Sequence, residues 1–472
     1  MHSRILMTRS NLPFQLFSLL AGAVLALLVL WAMMSPGADP APAAGASTTA
    51  TAAVILAFVG AFGALALNVV NRLTAVAVGA FASLLIGALL RFYFPSDAVL
   101  YLFGKMDTLI LLAGMSIVTG LLQESGFFGI LAHNTLRVSG GNPWKVMTFL
   151  CVLTYGLSMF MNNLAAILVI IPIALRVTKA MEMEPVPLVM GVIIASNLGG
   201  ASTMVGDFPN MLIATETGLA FHEFFIHLAP VCLLQLGILI VFLRPSFADR
   251  PLEKRRRASL LEGLCTEHWD HAMGARGIAI LGATIVGFLV AGRLGIPVAA
   301  VAGSGAVLAF LLGNVSWKRL LKRMCFGDVL FFACLFLMVG ALNATGFLDN
   351  LGSQIAAIWM HSPVWGAIAL AWGAALLTCF LSAGPSTALL IHVLLASTPG
   401  FASGESVWWA LSLGVCAGSS ATLTGATAGP VTASLLEREG YTLTFERFAY
   451  TGVPIMFLFL IVSSCYLAII GS

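Results

Sequence analysis

The stretch SNLGGASTMVGDFPNMLIA, residues 196–214, holds the polar groups best suited to bind an ion. It sets Ser196, Asn197, Ser202, Thr203, Asp207 and Asn210 between two apolar runs. Of the chain's 20 acidic residues, almost all fall in expected loops or at span ends, and Asp207 is the clear exception. A carboxylate deep in a bilayer costs about 2.5–3.5 kcal/mol or more, so it faces protein or water and is a functional candidate by default. Gly199, Gly200, Gly206 and Pro209 break the helix here, and a broken helix exposes N–H and C=O groups able to coordinate ions. Asp207 and Asn210 flank that break, with Ser196, Asn197 and Thr203 adding oxygens. The same residues have a plainer reading, with Asp207 as the N-cap of a second half-helix and Pro209 in its first turn. The two roles can coexist.

A second group lies in MFMNNLAAIL, where Asn162 and Asn163 stand at an expected hairpin tip. Adjacent asparagines in a lipid span need partners, either the broken helix or their own turn. The second half of the chain offers FLSAGPSTALL and GVCAGSSATLTGATAGPVTASL. Their candidates are Ser386, Thr387, Ser420 and Thr422, hydroxyls without a carboxylate, and hydroxyls in membrane helices often bond back to the helix. His392 reads as a structural histidine or a proton relay. CTEHWDHAM (Cys265, Glu267, His268, Asp270, His271) has the composition of a metal-ligand cluster but the spacing of no closed zinc site. It reads as a solvated loop, as does FHEFFIH (His222, Glu223, His227). No metal site, cofactor motif or nucleophile–base pair emerges, which argues against an enzyme and leaves no cofactor to expect.

These groups need elements to hold them. The 472-residue chain is 60% hydrophobic and only 9% charged, against about 25% charged in soluble domains. Its mean hydropathy is +1.00. Lipid therefore sets the rules, and long apolar runs without alternation choose helices over a barrel. A net charge of +3 is too small to suggest nucleic acid. The eight cysteines, mostly inside apolar runs and without a CxxC pair, read as small apolar residues.

The expected fold is an all-α polytopic membrane protein of about eleven spans and two hairpins. The spans are 14–34, 51–69, 73–93, 107–123, 186–213, 228–244, 276–293, 297–313, 328–344, 406–433 and 450–470. The hairpins, each a pair of short segments, are 146–178 and 364–398. The run at 14–34 follows Arg4 and Arg9 and reads as an uncleaved first helix, with a signal peptide as the alternative. The loop from Arg244 to Arg276 holds seven Lys or Arg and the next hairpin returns to Lys318, Arg319, Lys322 and Arg323, so both are cytoplasmic by the positive-inside rule. Walking out from these anchors keeps Arg72, Arg137, Arg176, Arg438 and Arg447 inside only if both hairpins enter and leave on one side.

An internal repeat supports this. TGLLQESGFFGIL (119–131) aligns with VGALNATGFLDNL (339–351) at a shift of 220, and TMVG (203–206) with TLTG (422–425) at 219. The charge-derived topology runs the two copies in opposite directions, and inverted repeats with broken helices are a transporter architecture. The division is an N-terminal helix and outer loop (1–50), a first repeat (51–244), a charged cytoplasmic linker (245–275) and a second, inverted repeat (276–472).

SNLGGASTMVGDFPNMLIA resembles the signature of the ArsB/NhaD branch of the ion transporter superfamily, in which GG-T-x-x-G-D-x-P-N recurs. LLEREGYTLTFERFAYTGVPIMF resembles that family's last loop and helix. The resemblance covers most of residues 51–470. It implies two inverted repeats with re-entrant hairpins and unwound helices, ion or oxyanion transport, often sodium against protons, and a homodimer, since related families often dimerise. Two positions depart from the pattern: Asn162 stands where an aspartate is frequent, and GSSATLTGATAG replaces a form like GGNGTLIGASAN. The GDFPNM form, FFACLFLMVGAL and the degenerate second half are most like the magnetosome-membrane branch. That implies a multi-pass protein of the bacterial inner or magnetosome membrane, where proton export from the lumen would favour iron-oxide precipitation and so magnetite biomineralisation. The favoured function is cation/proton exchange, its ions H+ and Na+ or another cation and its setting the lipid bilayer. The alternatives are an anion or arsenite-type permease, and a transporter-derived structural protein that no longer transports.

Overall fold

The computed structural model describes residues 47–66, 70–139, 142–247, 270–316, 319, 326–359, 362–396 and 405–470. The first helix expected at 14–34 and most of the basic linker lie outside these residues. Every regular element among the described residues is a helix.

Two membrane helices, α1 (Thr48–Ala66) and α2 (Arg72–Leu89), lead into a short α3 (Pro95–Gly104) and the span α4 (Met106–Glu124). After α5 (Phe127–Ser139), the first hairpin has legs α6 (Pro143–Ser158) and α7 (Asn163–Ala180). The broken helix follows as α8 (Val186–Ala201) and α9 (Phe208–Thr217), and α10 (Phe221–Leu243) closes the first half. Beyond the linker, α11 (His271–Leu294) and α12 (Val298–Leu312) form a pair. The second half then runs α13 (Phe326–Asn343), α14 (Phe347–Trp359), hairpin legs α15 (Pro363–Leu381) and α16 (Ala383–Ala396), the broken pair α17 (Glu405–Ser419) and α18 (Gly429–Arg438), and α19 (Phe445–Ile470).

Eight of these helices are long and apolar enough to cross a membrane, among them α1, α2, α4, α10, α11, α13 and α19. Their outward faces stay apolar: α2 exposes Val78, Phe81, Leu85 and Leu89, which suits contact with acyl chains rather than water. The eighth, α15, corrects the expectation of short hairpin segments. The hairpin legs hold 16, 18, 19 and 14 residues, or about 21–28 Å each at a rise of ~1.5 Å per residue. Three shorter helices, α3, α5 and α14, lie in stretches read as loops; none is long enough to span.

The repeat is visible in individual hydrogen bonds. Between α4 and α5 the Ser125 hydroxyl donates to the Leu122 carbonyl at 2.7 Å and accepts from the Phe127 N–H at 3.3 Å. Between α13 and α14, Thr345 makes the same pair with Leu342 at 2.6 Å and Phe347 at 3.4 Å. The residue between each pair of partners is a glycine in the left-handed region, Gly126 at φ +76° and Gly346 at +73°, a conformation that costs other residues energy.

At the centre, α8 and α17 pack against each other. They are apolar on all sides and almost wholly buried, as an all-round apolar helix requires. Helix α8 is backed by α6, α7 and α10, and α17 by α15, α16 and α19. On the other side α1–α4 and α11–α13 pack chiefly among themselves, with α4 close against α12 and α13 close against α2.

Candidate functional site

The first break spans residues 202–207, between α8 and α9. Asp207 is the N-cap of α9, extended at φ −139°, and its carboxylate accepts the Phe208 N–H at 2.9 Å, with Pro209 in the first turn. The capping role is therefore real. The side chain is nevertheless only partly buried, whereas its neighbours on both sides are buried.

Beside the carboxylate stands Asn163, at the hairpin tip. Its carbonyl oxygen accepts from the Ser158 hydroxyl, which lies 3.0 Å from the Ser196 hydroxyl. The Asn163 amide nitrogen is buried and faces the Asp207 carboxylate without a well-formed hydrogen bond to any group, a geometry that a bound ligand or a small movement would improve. Gly200 makes the approach of these groups possible: a Cβ there would lie 2.6 Å from Asn163 Oδ1 and 3.0 Å from Asp207 Cβ. Asp207, Asn163 and Ser196 thus come together.

The other candidates of the first repeat hold the break in shape. The Thr203 hydroxyl donates to the Met159 carbonyl at 2.5 Å and accepts the Gly206 N–H at 3.2 Å. The Asn210 amide donates to the Ala201 and Thr203 carbonyls at 2.9 and 2.8 Å, while its oxygen accepts from Ser412 at 2.6 Å. That uses both Asn210 donors. The Asn197 amide donates to the Ser419 carbonyl at 3.1 Å. Asn162 faces elsewhere: its oxygen caps α7 through the Leu164 N–H at 2.9 Å, and its amide lies 3.4 Å from Asp328.

The second break repeats the scaffold without the charge. The Thr422 hydroxyl donates to the Cys379 carbonyl at 2.8 Å and accepts the Gly425 N–H at 2.9 Å, matching Thr203 with Met159 and Gly206. By that register Ala426 stands in the place of Asp207, Gly429 in that of Asn210 and Ala383 in that of Asn163. Ser386, Thr387 and Ser420 donate to the Ser382, Ala383 and Cys416 carbonyls of their own turns at 2.8, 2.8 and 2.9 Å. These hydroxyls satisfy local backbone and do not meet Asp207.

Two expectations are corrected. Asp207 is not the clear exception among the acids: the Asp328 side chain is 6% exposed and paired with Arg72, and Glu216, paired with Lys105 at 2.7 Å, is 15% exposed. Both lie near helix ends, so linear position hid their burial. FHEFFIH is not a solvated loop. It forms the first turns of α10, where Glu223 receives the Ala220 N–H and His227 stacks 5.0 Å from Trp409 and lies 3.0 Å from the Tyr466 hydroxyl. Of CTEHWDHAM, Cys265, Glu267 and His268 lie outside the described residues, while Asp270 caps α11 by accepting the Met273 N–H at 3.0 Å.

A cavity of about 350 Å³ lies beside the second break, whose Thr424, Ala426 and Thr427 line it. Phe208 stacks on Phe332, which lines the cavity with Arg72, Ser382, Thr424, Thr427 and Ser434. Among the described residues, Arg72 is the only ionisable side chain on its wall. The N-termini of α16 and α18 also reach it, through Gly384 and Pro430.

A helical bundle with two inverted repeats, paired hairpins and helix breaks beside a cavity defines a membrane transporter, multi-pass by its spans. Comparison with known proteins places it further. The profile of the citrate transporter family (CitMHS) matches residues 12–414, and the chain belongs to that family. It is 33% identical to the magnetosome protein MamN of Magnetospirillum gryphiswaldense over 84% of this chain and 94% of that one. An uncharacterised transporter of Mycobacterium tuberculosis is 29% identical over 76% and 85% of the two chains. The crystal structure of the YdaH transporter of Alcanivorax borkumensis, described as of unusual topology, superposes with a TM-score of 0.55 at 15% identity, covering 79% of this chain and 86% of that one.

Proposed function

We propose that the chain is a secondary transporter that exchanges a cation for protons, with Asp207 as the ion-binding carboxylate. The observation that carries this reading is a carboxylate at a helix break, flanked by buried residues and by the side chain of Asn163. A carboxylate at that depth is stabilised by neutralisation, through a proton or a metal cation. Only one of the two fits at a time, which is the condition for exchange. The α9 N-terminus offsets part of the cost of the charged form between loadings. The similarity to MamN supports placement in a magnetosome membrane, where moving protons out of the lumen would favour iron-oxide precipitation.

The cavity favours a second reading, transport of a small anion. A guanidinium shared with Asp328, two helix N-termini and hydroxyls, with no acid among the described residues of the wall, suit a carboxylate solute, and the family's description as citrate transporters agrees.

One experiment separates the two. Purified protein in liposomes with a trapped pH dye and an imposed pH gradient receives Na+, Li+, K+, Fe2+, arsenite or citrate in turn, with Asp207→Asn run in parallel. A cation-triggered pH change lost in the variant supports exchange at Asp207. A response to citrate or arsenite alone supports the anion reading. An unchanged response in Asp207→Asn removes Asp207 from the mechanism.

A further inference from the structure

His392 and its neighbours take no part in the reading above. The residue sits on α16, 8% exposed. Its Nδ1 lies 2.8 Å from the Ala388 carbonyl of its own helix. A carbonyl can only accept, so Nδ1 carries the hydrogen and Nε2 of the neutral ring is an acceptor. Nε2 faces the Tyr101 hydroxyl of α3 at hydrogen-bond distance, and Tyr101 therefore donates to it.

The bond belongs to a wider junction. Lys105, which follows α3, pairs with Glu216 of α9 at 2.7 Å, and its Nζ lies 5.5 Å from the centre of the Tyr101 ring. The Thr108 hydroxyl of α4 lies 2.6 Å from that of Thr215. Helix α9 starts at Asp207 and α16 at the tip of the second hairpin. Glu216 and His392 stand nine and ten residues farther on, about 14–15 Å at the α-helical rise. Both helices are thus held at their far ends, the outer ends by the charge argument, to the α3–α4 corner.

We propose that His392 is a second proton-binding site, separate from Asp207, and that loading it unlatches α16 from α3. The proton comes from hydronium, which leaves as water, and adds to the Nε2 lone pair. Both ring nitrogens then donate. Two donors would face each other across the Tyr101 contact, so Tyr101 turns its proton away and the bond as built is lost. The added charge is opposed first by burial and then by Lys105, and is favoured by Glu216 and Asp349. The other elements packed on α16 offer little: Asp328 of α13 is engaged by Arg72, Glu405 of α17 is exposed, and α15 and α17 otherwise carry the thiols of Cys379 and Cys416.

The test is hydrogen–deuterium exchange of full-length protein in nanodiscs, reading peptides from α16 at roughly pH 4.5 and 7.5, the lower value set well under an ordinary histidine's because the site is buried, and corrected for intrinsic rates. In the wild type α16 exchanges about tenfold faster at the lower pH, the opening expected on losing one hydrogen bond. His392→Gln removes this pH response. Tyr101→Phe leaves α16 equally open at both values. Asp207→Asn keeps the wild-type response, so this result and the flux result stand or fall separately. A wild type with no pH response, or a response retained in His392→Gln, overturns the proposal. Should His392→Gln not fold, a wild-type pH response in Tyr101→Phe overturns it equally.

Discussion

Asn197 ties the two repeats together: its side-chain amide donates to the Ser419 carbonyl at 3.1 Å, across the contact between α8 and α17. The Asn197 carbonyl in turn faces the thiol of Cys416 at 3.5 Å, and Cys416 occupies the repeat-related position. The two broken helices are therefore bonded directly, just before both chains unwind. Asn197→Ala leaves a buried carbonyl unpaired and should cost about 1–3 kcal/mol. A melting curve of the purified variant checks this, and an unchanged midpoint would mean that water or another donor already serves Ser419.

Asp207 has two roles that substitutions can separate. Asparagine caps a helix as well as aspartate does, so Asp207→Asn should keep the wild-type melting temperature while losing cation-driven flux to background. Asp207→Ala removes the cap as well and should cost roughly 1 kcal/mol more of stability. Equal melting temperatures for the two variants would show that the cap contributes nothing.

The last turns of α8 and α17, just before the breaks, need close backbone approach. A Cβ on Gly199 would lie 2.2 Å from the Tyr155 carbonyl oxygen, and one on Gly418 2.3 Å from that of Ala375. Gly199→Ala and Gly418→Ala should each cost about 3 kcal/mol or more, because backbone cannot move aside as a side chain does. Gly156→Ala is the control. Nothing lies within 4 Å of a Cβ there, so that change should be neutral or slightly stabilising in helix α6.

The Arg72–Asp328 pair should respond asymmetrically. Arg72 is 29% exposed and borders the cavity, whereas Asp328 is 6% exposed. Arg72→Gln strands a buried carboxylate and approaches the range of about 3–5 kcal/mol for an orphaned buried charge. Asp328→Asn leaves a guanidinium that can reach the cavity, and should cost less. The double variant should recover part of the larger loss. Equal melting shifts for the two single variants would contradict the asymmetry.

The repeat was readable because its markers are local. A hydroxyl, then a glycine forced into the left-handed region, recurs at Ser125–Gly126 and Thr345–Gly346, and such turns leave the same pattern in any chain that makes them. The break at 202–207 was readable for the same reason, since glycines and Pro209 act through their own backbone. The capping role of Asp207 followed from its place before that proline.

What the sequence by itself determined was the membrane class, the helical spans, the paired breaks and the placing of one carboxylate at the first of them, because apolar run length, turn chemistry and charge bias all act over short distances. Tertiary structure alone decided which polar groups meet. Asp328 finds Arg72 across 256 residues, His392 finds Tyr101 across 291 and Asn210 finds Ser412 across 202. It also decided that Ser386, Thr387 and Ser420 turn back onto their own helices while Asn163 stands beside Asp207. Burial in a bundle depends on how helices cross, and a side chain near the end of a span lies in solvent or deep in the protein according to neighbours that linear order does not name.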